Sequence, residues 1–385
     1  MFGVFAIIRR DGGRELIDIH LLPMAAENLF LRRFCHFFVH LLFPYDKTMK
    51  KRFILPIAGI LISSVLSHAQ NPCVMPPFIS AGDTVAVIAP SFAIRDTAVL
   101  PRACNILREW GFVPVLGPNA AKVHPEYKTM KCDHYAGTPA ERAAELRWAF
   151  EAPEVKAIIC TRGGYGTIQL LDLIPAAFYS EHPKWLVGYS DITTILAGET
   201  MGGIMGIHGN MCSSFGGKKG ADSASVAMRN LLLGKIPEYD LPAHSCDRYG
   251  HGEGVLVGGN MITFEALMDT EYDVTSLDGT ILFIEEVEET MHAIDRLFQM
   301  LRLRGRIPHF NGIILGEFTD CGKDLPYEDV EHMLAQYTSG LGIPVCNGFP
   351  SGHGKVNQPI IMGAKVSLDV SPDGSRIRYI LPETE

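Results

Sequence analysis

The chain lacks most of the patterns that announce a common catalytic chemistry. Its nine cysteines form no Cys-x-x-Cys pair, there is no His-Glu-x-x-His segment, and none of the fourteen histidines is followed three residues later by glutamate. The common zinc-peptidase signatures are therefore excluded, and no metal site is expected. There is no Walker phosphate loop and no complete G-x-G-x-x-G turn. Positive charge is scarce: 34 Lys and Arg stand against 43 Asp and Glu, a net charge of −9, which argues against nucleic acid as the main partner. Internal repeats and low-complexity tracts are missing as well. What remains is an ordinary globular mix, 47% hydrophobic and 20% charged, and 385 residues suggest two domains plus extra material at one end.

That extra material lies at the start. Met49-Lys50-Lys51-Arg52 is a basic opening, residues 53–66 are apolar, and Ser67-His68-Ala69 offers small residues at the two positions a signal peptidase inspects. Residues 49–69 read as a secretory signal peptide, with a run too short for a comfortable membrane span. A signal peptide belongs at a true N-terminus. Met49 is thus the expected start, residues 1–48 an upstream extension, and the mature protein periplasmic or secreted with no stable span. An N-terminal anchor helix or a cytoplasmic protein are the alternatives. Export would permit disulfides, but Cys104 and Cys160 lie in apolar patterns and read as small core residues.

From Ala81 onward short β-rich runs alternate with amphipathic helices. Residues 84–89 read as a buried strand, 100–110 as a helix, 155–160 as a strand, and 185–188 as another. Thr138-Pro139-Ala140-Glu141 is a capping box that opens a helix with Ala143, Leu146 and Phe150 on one face. Such alternation implies a parallel sheet covered on both faces, with ligands beyond the carboxyl ends of its strands. Residues 75–235 form this N-terminal α/β domain. The polar stretch 236–253 reads as a linker, and 254–385 as a smaller, strand-rich α+β domain, with 365–370 and 376–381 able to pair as a terminal hairpin.

Ser190 lies where the apolar run Trp185-Leu186-Val187-Gly188 breaks into a helix-like segment. A strand-to-helix elbow exposes a hydroxyl at its apex and aims the first helical N–H groups at the same point. Two roles are open on spacing alone: nucleophile, or helix N-cap. A nucleophile needs a base and an orienting carboxylate. His353, flanked by glycines in Ser351-Gly352-His353-Gly354, and His208 are both candidates for the base, and either can instead be a structural histidine. Glu285 ends an apolar strand, where it can hold an imidazole, or it begins a surface cluster with Glu286, Glu288 and Glu289. Gly163 and Gly164, in the loop after residues 155–160, can present backbone N–H groups to an oxyanion. The same Gly163-Gly164-Tyr165-Gly166-Thr167 loop superficially matches a phosphate-cradling turn, with Tyr165 where those enzymes carry an acid.

Taken together, several stretches resemble the LD-carboxypeptidase family of serine peptidases. They are residues 82–91, Ala136-Gly137-Thr138, residues 157–166, Gly188-Tyr189-Ser190-Asp191, residues 281–286, Ile294-Asp295-Arg296 and residues 348–353, in family order across essentially the whole mature chain. The resemblance implies a Ser190–His353–Glu285 triad, with serine on the first domain and the other two on the second. It implies an oxyanion hole from the N–H groups of Asp191 and Gly164, a homodimer, and no cofactor. The implied reaction removes the terminal D-alanine of a murein tetrapeptide through an acyl-enzyme. Arg162 then pairs with the substrate's terminal carboxylate or belongs to a structural ion pair. A relative that cleaves a peptidyl-nucleotide antibiotic, and a catalytically silent murein-binding protein, are the competing functions. Two features depart from the family pattern: the signal peptide, and His208-Gly209-Asn210 in place of His-Gly-Pro.

Overall fold

The structure, a computed structural model, describes residues 4–11, 14–21, 73–122, 134–215 and 223–381. The signal-peptide segment 49–69 and the 22–48 part of the upstream extension lie outside the described residues. The chain divides into two compact units, Met1–Gln70 and Asn71–Glu385. In the first, strands β1 (Val4–Asp11) and β2 (Arg14–Leu21) pair antiparallel as a hairpin.

The second unit carries two sheets. In the first sheet β3 (Thr84–Ile88), β4 (Val113–Leu116), β5 (Val155–Cys160), β6 (Trp185–Gly188) and β7 (Gly206–His208) run parallel, in the order β7-β6-β5-β3-β4. The strands β5 and β6 coincide with the expected residues 155–160 and 185–188. Strand β6 is buried at all four positions, as a strand covered on both faces must be. The capping box is formed: Glu141 N donates to Thr138 Oγ1 at 3.2 Å and Thr138 N to Glu141 Oε2 at 2.9 Å, with Pro139 in the first turn. Ala143, Leu146 and Phe150 of the helix Pro139–Glu151 are buried, as their spacing predicts.

The second sheet is mixed. Four strands are parallel: β9 (Gly250–Asn260), β10 (Thr280–Val287), β11 (Phe310–Thr319) and β12 (Val345–Cys346). The terminal hairpin of β14 (Lys365–Ser371) and β15 (Gly374–Tyr379) pairs against β9, and β8 (Tyr239–Leu241) closes the far edge. Residues 236–253, read as a linker, thus carry β8 and the first residues of β9. Strand β13 (Ile360–Met362) leaves the second half of the chain and pairs antiparallel with β7 in the first sheet. One apolar cluster is shared by Leu186 and Ile192 from the first half and Phe283, Ile314 and Phe349 from the second. Each fully buried side chain of that size contributes about 1.5–3 kcal/mol.

All seven described cysteines are unpaired, with Cys104 and Cys160 buried as expected. No described helix is long and apolar enough to cross a membrane.

Candidate active site

Strand β6 ends at Gly188, Tyr189 is extended, and Ser190 opens a one-turn 3₁₀ helix that runs into the helix Thr193–Met201. Ser190 has φ +63, a conformation a non-glycine residue adopts at a cost of about 1–3 kcal/mol. Such strain persists only where the surroundings over-determine it. Here Gly188 has no room for a side chain, since a Cβ would lie 2.6 Å from Ile192 Cγ2, and Gly163 packs directly on the serine. A Cβ on Gly163 would come within 2.9 Å of Ser190 Cβ and 3.1 Å of Oγ. The Ser190 side chain caps no helix, and Ile192 is the N-cap of the helix Thr193–Met201. The elbow therefore presents the hydroxyl instead of consuming it.

Asp191 binds the elbow to the glycine loop through its side chain, a role that sequence patterns do not reveal. Its buried Oδ2 accepts from Ser91 Oγ at 2.6 Å and from Thr167 N at 3.0 Å, and Thr167 Oγ1 donates to Asp191 O at 2.6 Å. Burial pushes its carboxyl above the ordinary range, against the pull of these donors. The loop is clamped from the other side by the buried Arg142. Its Nη1 donates to Gly166 O at 2.9 Å and Pro90 O at 2.7 Å, and Nη2 to Gln169 Oε1 at 2.6 Å. Gly164 has φ +121, and a Cβ there would overlap the Phe92 ring at 2.3 Å. Asp191 is the second residue of a helix start, where a backbone N–H has no carbonyl one turn back to reach. Gly163 of the loop thus lies directly against the Ser190 hydroxyl, with Asp191 next in the chain. The phosphate-cradle alternative loses ground here, because the loop is stapled to a serine elbow.

From the second sheet, Glu285 lies in the buried part of β10, and its side chain is 0% exposed. Oε2 lies 2.7 Å from His353 Nδ1. Glu285 is therefore no surface residue. Glu286 is buried too, accepting from Asn260 Nδ2, Ile262 N and Val287 N, whereas Glu288 is exposed. The His353 ring is 17% exposed and packs on Tyr189, the residue before Ser190, at a 5.0 Å centroid distance. Burial lowers the His353 pKa, but the Glu285 hydrogen bond and the charges of Glu285, Glu286 and Glu288 outweigh it and raise the net value above 6.5. With Nδ1 held by a carboxylate, Nε2 is the nitrogen left to exchange a proton. His208 fits the base role poorly. It is fully buried, wedged between Tyr189 and Phe283, and burial pushes its pKa down to about 3.

Arg162 follows Thr161 after β5, with its guanidinium 5.8 Å from the centre of the Phe92 ring. Beside Tyr189 opens a cavity of about 480 Å³ whose walls include Ser213, Ser214, Gly352, Lys355 and Asn357.

A strained serine at a strand-to-helix turn, with Gly163 packed on it and a carboxylate-held imidazole resting on the preceding Tyr189, brings together residue types that suit acyl transfer through a serine hydroxyl. Profiles of known families agree with that class. The LD-carboxypeptidase N-terminal domain matches residues 85–209, and the LD-carboxypeptidase C-terminal domain matches residues 253–368. The murein tetrapeptide carboxypeptidase of Pseudomonas aeruginosa is 30% identical, over 77% of this chain and 94% of its own. The microcin C7 self-immunity protein MccF of Escherichia coli is 30% identical over 78% and 94% respectively. Among solved structures, the muramoyltetrapeptide carboxypeptidase from Oxalobacter formigenes superposes with a TM-score of 0.69, covering 78% of this chain and all of that one at 24% identity. The chain belongs to the LD-carboxypeptidase family of serine peptidases.

Proposed function

We propose that this protein removes the terminal D-alanine from murein tetrapeptides, with Ser190 as nucleophile, His353 as general base and Glu285 as the carboxylate that orients it. The observation that carries the reading is the 2.7 Å contact between His353 and Glu285, held against the Tyr189–Ser190 elbow. His353 Nε2 takes the Ser190 proton as Oγ attacks the carbonyl of the scissile bond. The N–H groups of Asp191 and Gly164 receive the oxyanion. Protonated His353 then gives its proton to the departing D-alanine amine, and water hydrolyses the acyl-enzyme by the same route. Arg162 is the candidate partner for the substrate's terminal carboxylate. The signal-peptide pattern at residues 49–69 favours action on periplasmic murein or its fragments, and family likeness favours a homodimer. Incubating the protein with a murein tetrapeptide should release D-alanine and tripeptide. An inactive wild type, or unaltered release by Ser190→Ala, overturns the reading.

A second reading, cleavage of a peptidyl-nucleotide antibiotic, is favoured by one observation. Tyr165, next to Gly164, is 52% exposed and leans on Tyr135, which gives a base a ring to stack against. Release of the nucleotide moiety faster than of D-alanine would select it.

A further inference from the structure

Strands β10 and β11 fall out of step beside the site. Ile284 pairs with Leu315 and Glu286 with Phe318, so the single residue Glu285 faces both Gly316 and Glu317. A bulge of this kind re-aims side chains. Here it brings a second carboxylate to the loop that carries His353. Glu317 N donates to Ser351 O at 3.0 Å, and a Cβ on Gly316 would lie 2.5 Å from that same oxygen. The Glu317 carboxylate presses on Gly354 so closely that a Cβ there would sit 1.7 Å from Oε2 and 2.2 Å from Cδ. Glu317 Oε2 is buried and makes no well-formed hydrogen bond to any described residue. The groups that act on its charge are the Gly354 N–H from the loop, Glu285 from β10 and the His353 ring.

We propose that Glu317 is a positioning residue for His353. From the bulge its carboxylate cradles the Gly354 backbone and supplies a second negative group behind the imidazole that Glu285 holds directly. The inference rests on the triad reading above. Glu285 fixes the Nδ1 side of the ring, while Glu317 fixes the chain immediately after it, so the two together leave the imidazole little freedom. The same carboxylate favours the imidazolium that forms when His353 takes the serine proton. Burial and the nearby Glu285 push the Glu317 carboxyl above its ordinary range, opposed by the Gly354 N–H and His353.

The test is the pH titration of the His353 ring by NMR, beside D-alanine release at pH 8, in Glu317→Gln and Glu317→Asp. Glu317→Gln keeps the shape and deletes the charge. It should move the His353 midpoint down by roughly half a unit to one unit and lower kcat about 10-fold, with KM within about twofold. Glu317→Asp keeps the charge and should bring the midpoint back toward wild type. An unshifted His353 midpoint in a folded Glu317→Gln protein overturns the proposal, as does a midpoint displaced equally in both variants. The titration needs no turnover, so it separates this proposal from the hydrolase reading, which stands or falls on Ser190→Ala.

Discussion

His353 Nδ1 and Glu285 Oε2 lie 2.7 Å apart, with the carboxylate entirely shielded from solvent and the imidazole resting on the ring of Tyr189. A buried carboxylate of this kind fixes the tautomer and the orientation of the ring at once. Glu285→Gln should lower kcat by about 10⁴-fold. It should also displace the pH profile in a defined direction. The base must be neutral to work, so activity appears as pH rises through the raised His353 pKa. Without the carboxylate that pKa falls, and the acid limb of kcat/KM should move to lower pH. A limb that stays in place or moves up contradicts the assignment.

Ser190, the proposed nucleophile, stores backbone strain. Glycine tolerates φ +63 without penalty, so Ser190→Gly should abolish D-alanine release while stabilising the fold by about 1 kcal/mol in urea unfolding. Ser190→Ala should be equally inactive with no such gain. The comparison isolates backbone strain from the lost hydroxyl.

Gly164→Ala meets two obstacles, a φ of +121 and the Phe92 ring 2.3 Å from the new Cβ. The turn must shift, and with it the N–H assigned to the oxyanion. A loss of at least about 10²-fold in kcat, with little change in KM, is expected from steady-state kinetics. Phe92→Ala in the same protein relieves the collision but not the backbone strain, and should restore only part of the activity.

Glu265, at the end of the helix Met261–Glu265, is 4% exposed. Burial, with Glu286 nearby and Arg304 opposing, pushes its carboxyl up to about 9. The folded-state pKa lies above the unfolded one. Its favourable contribution is therefore complete below pH about 4.5 and is lost as pH rises through 9. Glu265→Gln, which cannot ionise, should match the wild type near pH 4.5 and exceed it by about 1–3 kcal/mol at pH 8. Urea midpoints across that range provide the check.

Much of the first sheet is legible because its signals are local. The apolar run 155–160, the Gly188 break and the Thr138–Glu141 box each fix an element by themselves, and Ser190 stands just past the end of one. The resemblance of ordered motifs then groups them. What local pattern does not carry is packing between distant segments. Asp191 reads as a backbone N–H donor beside Ser190, yet its carboxylate meets Ser91 one hundred positions away. Glu317 follows an apolar strand and a glycine, a pattern close to that of Glu285, but only the bulge between β10 and β11 shows that both reach one loop. Likewise β13 is three residues long, too short for any periodicity, and its partner is chosen by tertiary geometry.

That short strand also bears on how the molecule is made. The first sheet gains its last edge only when Ile360–Met362 arrives beside β7, seven residues beyond His353. During synthesis the Ser190 elbow leaves the ribosome well over a hundred residues before the sheet that supports it can be completed. A nascent chain arrested short of residue 353 therefore holds Ser190 on an open-edged sheet, without its proposed base. The proposed triad and the closing of the fold are completed in the same stretch of chain.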